Sequence, residues 1–85
     1  MNSQFLAEAD LEFREAAKYY EKQATGLGLV FITEVHKAVE LLGEQPELGV
    51  LIEQCLRKFT LKRFPYDLIY VVDEWNLLIV AVAHH

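Results

Sequence analysis

Seven consecutive apolar residues, Leu77 to Ala83, run almost to the end of the chain, and two histidines follow them. A stretch this short, with Ile79, Val80 and Val82 in it and apolar side chains at odd and even positions alike, reads as a strand in the middle of a sheet. The preceding stretch, Tyr66 to Val72, is a second apolar strand, and Asp73-Glu74-Trp75-Asn76 supplies the polar turn of an antiparallel hairpin. Pro65 cannot donate to a ladder and pushes Phe64 toward extended geometry, so it marks an edge, a bulge or the join between two strands. From Arg57 the period is two: Phe59 and Leu61 share one face, while Lys58, Thr60 and Lys62 share the other.

Upstream the period lengthens. Ala9, Phe13, Ala16, Ala17, Tyr20 and Ala24 recur at helical spacing, with Glu8, Glu12, Glu15, Lys18 and Lys22 outside and Glu15 placed to support Lys18. Thr25-Gly26 breaks this helix. Leu27, Phe31, Val35, Ala38 and Leu42 form the stripe of a second helix, stopped by Gly43 and Pro46. Phe5 and Leu6 read as a short edge strand, and Leu48, Val50, Leu51 and Ile52 as either a strand or a buried loop. The expected fold is α+β: one domain over residues 1–85, an antiparallel two-helix hairpin packed on one face of a small twisted, mainly antiparallel sheet of about four strands.

No apolar run approaches the roughly 20 residues that span a bilayer, and Met1-Asn2-Ser3-Gln4 lacks the character of a signal peptide, so a cytoplasmic protein is expected. The lone Cys55 has no internal disulfide partner and is expected to be a small buried apolar residue. The net charge of −5 opposes general affinity for nucleic acid, yet it is unevenly spread. Residues 1–54 hold ten acids and four bases, a balance of −6, while residues 55–85 hold three acids and four bases, a balance of +1. Those four bases, Arg57, Lys58, Lys62 and Arg63, make a local basic strip.

His84 is the best general acid/base candidate, because a group titrating near neutrality beside cations suits cleavage of RNA: one group moves the 2′-hydroxyl proton while cations stabilise the phosphorane charge. The competing reading is a pair of terminal histidines without a task. Alternation sends His84 and His85 to opposite faces, which opposes a shared metal, and no cofactor is expected. Arg57, Lys58, Lys62 and Arg63 fit phosphate contacts, or else a solvated edge that discourages aggregation. Tyr66 and Tyr70 share a face and are expected to pack beneath the helices, and Trp75 is expected to be partly exposed at its turn.

Ala16-Ala17-Lys18-Tyr19-Tyr20-Glu21, Gly26-Leu27-Gly28, Phe31 with Glu34-Val35 and Ala38, Arg63-Phe64-Pro65-Tyr66 and the closing Ala81-Val82-Ala83-His84 together resemble the RelE/ParE family, the small toxins of bacterial type II toxin–antitoxin modules, which include plasmid stabilisation proteins. The resemblance implies an antitoxin that wraps the domain, and growth inhibition either by cutting ribosome-bound messenger RNA or by poisoning DNA gyrase. The RNA-cleaving branch generally adds a C-terminal tail with an arginine and a terminal aromatic. The sequence stops at His85 without one, so carry-over of catalytic residues reaches only His84, Arg63, Arg57 and Lys62. The alternative is an inactive or truncated member acting as a binding module. With no tail over the sheet, Leu78, Val80 and Val82 are expected to form an apolar patch that promotes a homo-oligomer.

Overall fold

The computed structural model describes residues 1–85 as β1 (Asn2–Phe5), α1 (Ala7–Gln23), α2 (Leu27–Glu44), a 3-10 turn (Pro46–Leu48), β2 (Val50–Glu53), β3 (Leu56–Thr60), β4 (Tyr66–Val72) and β5 (Asn76–His84). The strands form one sheet in the order β1-β5-β4-β3-β2, five strands rather than about four. β5 lies between β1, to which it is parallel, and β4, to which it is antiparallel, as its two-sided apolarity requires. β1 carries polar, exposed residues and owes its strand state to pairing with β5, while Leu6 lies beyond it. β2 is a fully exposed edge strand on β3, and Cys55, expected to be buried, is exposed in the turn between the two.

Both helices cover one face of the sheet. α1 buries Ala9 and Ala16 and α2 buries Phe31, Val35, Ala38, Val39 and Leu42, against Leu68, Tyr70, Leu77, Ile79 and Val82 of the sheet. Gly26 takes the left-handed conformation (φ 88°) between the helices. The Glu21 carboxylate receives the Gly26 and Gly28 amides at 2.9 and 3.0 Å, satisfying donors that the start of α2 leaves free. α2 continues through Gly43 to Glu44 and stops before Pro46, because a glycine weakens a helix where a proline ends it. On the surface of α1 the ion pair is Arg14 with Asp10 at 2.9 Å, and Glu15 does not pair with Lys18.

The hairpin strand is irregular in one place. Ile69 pairs with Ala81 while Tyr70 pairs with Ile79, so Val80 is an extra residue that reverses the alternation of β5. Leu77 and Ile79 face the helices before it, and Val82 faces them after it, only 2% exposed. The expected patch of Leu78, Val80 and Val82 therefore does not form on one face.

At the far side of the sheet the buried Tyr70 hydroxyl accepts the Gly49 N–H at 2.9 Å and donates to the Pro46 carbonyl at 2.7 Å, fixing the chain between α2 and β2. A Cβ on residue 49 would lie 2.7 Å from the Tyr70 ring at Cε1, and the ring has no room to retreat because Tyr70 is fully buried. Gly49→Ala is expected to cost about 1–3 kcal/mol, the range for overpacking a filled site, read as a lowered midpoint of thermal or urea unfolding. An unchanged midpoint would mean that the turn yields without cost.

Candidate functional site

Two places bring candidate residues together, the end of β5 against α1 and the turn between β3 and β4 against α2. At the first, His84 stands edge-on to Tyr66, with ring centroids 5.0 Å apart and planes at 87°. It shares an open depression of about 500 Å³ with Glu12, Glu15 and Tyr19 of α1. β1 ends at Phe5, opposite Ile79, so the Val82 amide has no strand partner, and Glu12 Oε1 accepts it at 2.8 Å. Burial, with neighbouring tyrosines, holds the Tyr66 and Tyr20 hydroxyls above their ordinary pKa, so both remain neutral donors at neutral pH. His84 thus lies among carboxylates and phenols, without a cation beside it.

His85 turns to the opposite face, as alternation predicts. Its amide donates to the Pro65 carbonyl at 3.0 Å, and its Nε2 lies 3.9 Å from Asp67 Oδ1, which also accepts the Thr60 hydroxyl at 2.7 Å. Tyr66 and Tyr70 both pack beneath the helices, Tyr66 against Tyr20 and Phe31, and Trp75 is exposed at its turn.

Of the other candidate cations, Arg57 and Arg63 hold the fold through their guanidinium groups, and Lys62 does so through its backbone amide alone. Arg57 donates from one guanidinium nitrogen to the Gly49 carbonyl at 2.8 Å and to the Glu47 carbonyl at 3.4 Å, anchoring the segment before β2. β3 ends at Thr60, so Lys62 and Arg63 do not continue its alternation. Instead both their amides donate to Oε2 of Glu34, at 2.9 and 3.1 Å, and the Arg63 Nε donates to Oε1 of the same residue at 3.0 Å. This clamp fixes the turn to α2. Burial pushes the Glu34 carboxyl up, but the Arg63 amide and guanidinium and the Lys62 amide outweigh it and hold the carboxyl below its ordinary value.

Beside the clamp, Lys37, Lys62 and Arg63 border a groove of about 320 Å³ whose floor is Ala38, Leu41, Phe59 and Leu61. Sequence reading assigned no role to Glu34 or Lys37. The available signal was the position of Glu34, a carboxylate three residues from Phe31 and four from Ala38 on the apolar stripe of α2, where an unpartnered charge would be costly.

The family model described as ParE toxin of type II toxin-antitoxin system, parDE, matches residues 4–85. The chain belongs to the ParE toxin family. A solved structure described as the chromosomal ParDE TA system from P. aeruginosa has the same fold, with a TM-score of 0.78 over 99% of this chain and 95% of that one at 17% identity. No curated protein matches the chain. Its place among ParE toxins makes it a toxin-antitoxin protein, and the family implies an antitoxin partner. No helix of this ParE-family chain is long and apolar enough to cross a membrane.

The clamp has a pH signature. A carboxyl held below its ordinary pKa stabilises the fold fully above that ordinary value, 4.5 for Glu34, and loses the contribution as pH falls through the depressed value. Glu34→Gln is therefore expected to lower the melting temperature at pH 7, the gap to the parent narrowing progressively below about pH 4.5. A gap independent of pH would remove the charge of Glu34 from the account.

Proposed function

We propose that this ParE-family chain is the toxin of a type II toxin–antitoxin pair, that it is neutralised by its antitoxin, and that it arrests growth by binding its target, DNA gyrase, rather than by cutting RNA. The observation that carries this reading is the dispersal of the groups an RNA-cleaving site needs. His84 lies beside Glu12 and Glu15, Arg57 is bound to the Glu47 and Gly49 carbonyls, and the Lys62–Arg63 turn is held on α2 by Glu34. Transfer at a phosphate needs cations converging on the developing negative charge next to a proton-moving group. Two carboxylates beside the leading acid/base candidate instead repel a phosphodiester. The overall charge of −5 acts in the same direction against a polyanion.

Tightly induced expression of the parent and of His84→Ala in a bacterial host tests the reading. Growth arrest by both, at equal protein levels, is the expected outcome. Arrest by the parent alone would return His84 to a catalytic role, and arrest by neither would favour an inactive member that works as a binding module.

A further inference from the structure

The groove between α2 and the β3–β4 turn combines three features. Its floor is apolar, with Ala38 and Leu61 buried and Leu41 and Phe59 left half-buried by the chain's own packing. Its rim is cationic: Lys37, Lys62 and Arg63 stand against one carboxylate, Glu34, which leaves +2 on a chain whose total is −5. Neither lysine is in an ion pair, and Arg63 uses only its Nε on Glu34 while its side chain stays 69% exposed. Its wall is preorganised, because Glu34 holds both turn amides and the Arg63 guanidinium stem at 2.9 to 3.1 Å, so an occupant need not order the turn.

We infer that this groove is a docking cleft for an acidic peptide segment carrying an apolar anchor: the anchor seats on Leu41 and Phe59, and its flanking carboxylates meet Lys37, Lys62 and Arg63. The inference rests on the toxin reading above, in which a protein partner must hold this domain, and it specifies where that partner sits and with what chemistry. Charge complementarity and the apolar floor choose the occupant together. A nucleic-acid backbone would use the cations but gain nothing from Leu41 and Phe59, and the acidic remainder of the chain would oppose its approach. A neutral apolar ligand would leave Lys37 and Lys62 at the rim without partners. The volume, about 320 Å³, stands at the lower end of the range for ligand pockets, enough for a large side chain or two rather than an extended cofactor.

The probe is a capped hexapeptide, Asp-Glu-Leu-Phe-Asp-Glu, titrated into the isotope-labelled full chain while backbone amide shifts are followed by NMR. The expected result is saturable shifts centred on Leu41, Phe59, Leu61, Lys62 and Arg63, with affinity falling as salt is added. The double variant Lys37→Glu/Lys62→Glu alters exposed side chains only and is expected to weaken binding by about tenfold or more, through two lost attractions replaced by repulsions. Leu41→Asn is expected to weaken it independently. The equal charge change Lys18→Glu/Lys22→Glu, made on α1, is expected to leave it unchanged.

Four results would overturn the inference: no shifts at the groove up to millimolar peptide, equal weakening by the α1 double variant, equal binding of a Ser-Ser-centred peptide that lacks the anchor, or displacement of the peptide by oligouridylate that occupies the same amides more tightly. Growth arrest by the parent chain is scored separately, so arrest without peptide binding sinks the groove and leaves the toxin reading standing. Binding without arrest does the reverse.

Discussion

β5 is the strand on which both sides of the sheet hang, and the extra residue Val80 divides it into two halves with opposite alternation. The first half puts Leu77 and Ile79 under the helices beside β1. The second half puts Val82 there and carries His84 on toward α1, next to Tyr66 and the carboxylates of Glu12 and Glu15. Had the strand kept its register past Ile79, His84 would have emerged on the open face, and Ala81 and Ala83 would have replaced Val82 in the core. A single inserted residue thus decides the electrostatic surroundings of His84, the leading acid–base candidate.

The same end of β5 shows how an acidic chain uses its acids. Glu12 accepts the Val82 amide that β1 is too short to pair, Glu21 accepts the Gly26 and Gly28 amides at the start of α2, Glu34 accepts those of Lys62 and Arg63, and Asp73 accepts those of Trp75 and Asn76 at 2.9 and 2.8 Å. At these four places backbone donors without a ladder or helix partner are met by a carboxylate. For Asp73 these two amide bonds hold the carboxyl below its ordinary pKa. The carboxylates therefore do structural work that their count alone does not reveal. The formal charge is −5 over the chain and +2 at the groove beside Glu34.

The sequence was most legible where burial dictates pattern. Tyr66 to Val72 was read to the residue, the two helical stripes were read from Phe13, Ala16, Phe31, Val35 and Leu42, and the αL break was placed at Gly26. β1 was less legible, because Asn2, Ser3 and Gln4 have no strand pattern and are strands only through their pairing with β5. Cys55 lies exposed in a turn, a position about which its hydrophobicity says nothing. The bulge at Val80 had no local signature in a run where every residue is apolar, so the faces of Leu78 and Val82 were read as one. At the candidate site, the four bases were visible as a strip, but their partners were not, since Glu34 and the Gly49 carbonyl approach them from distant parts of the chain.

These arrangements favour a toxin that works through a surface. The chain is a member of the ParE toxin family, its histidine strand end is acidic, and its free cations border an apolar groove instead of a phosphate-sized site. The most direct measurement of that claim is supercoiling of relaxed plasmid DNA by purified DNA gyrase in the presence of increasing amounts of the purified chain. The account predicts that supercoiling is lost as the chain approaches and passes equimolar amounts. Undiminished supercoiling at a large molar excess of folded chain would contradict it.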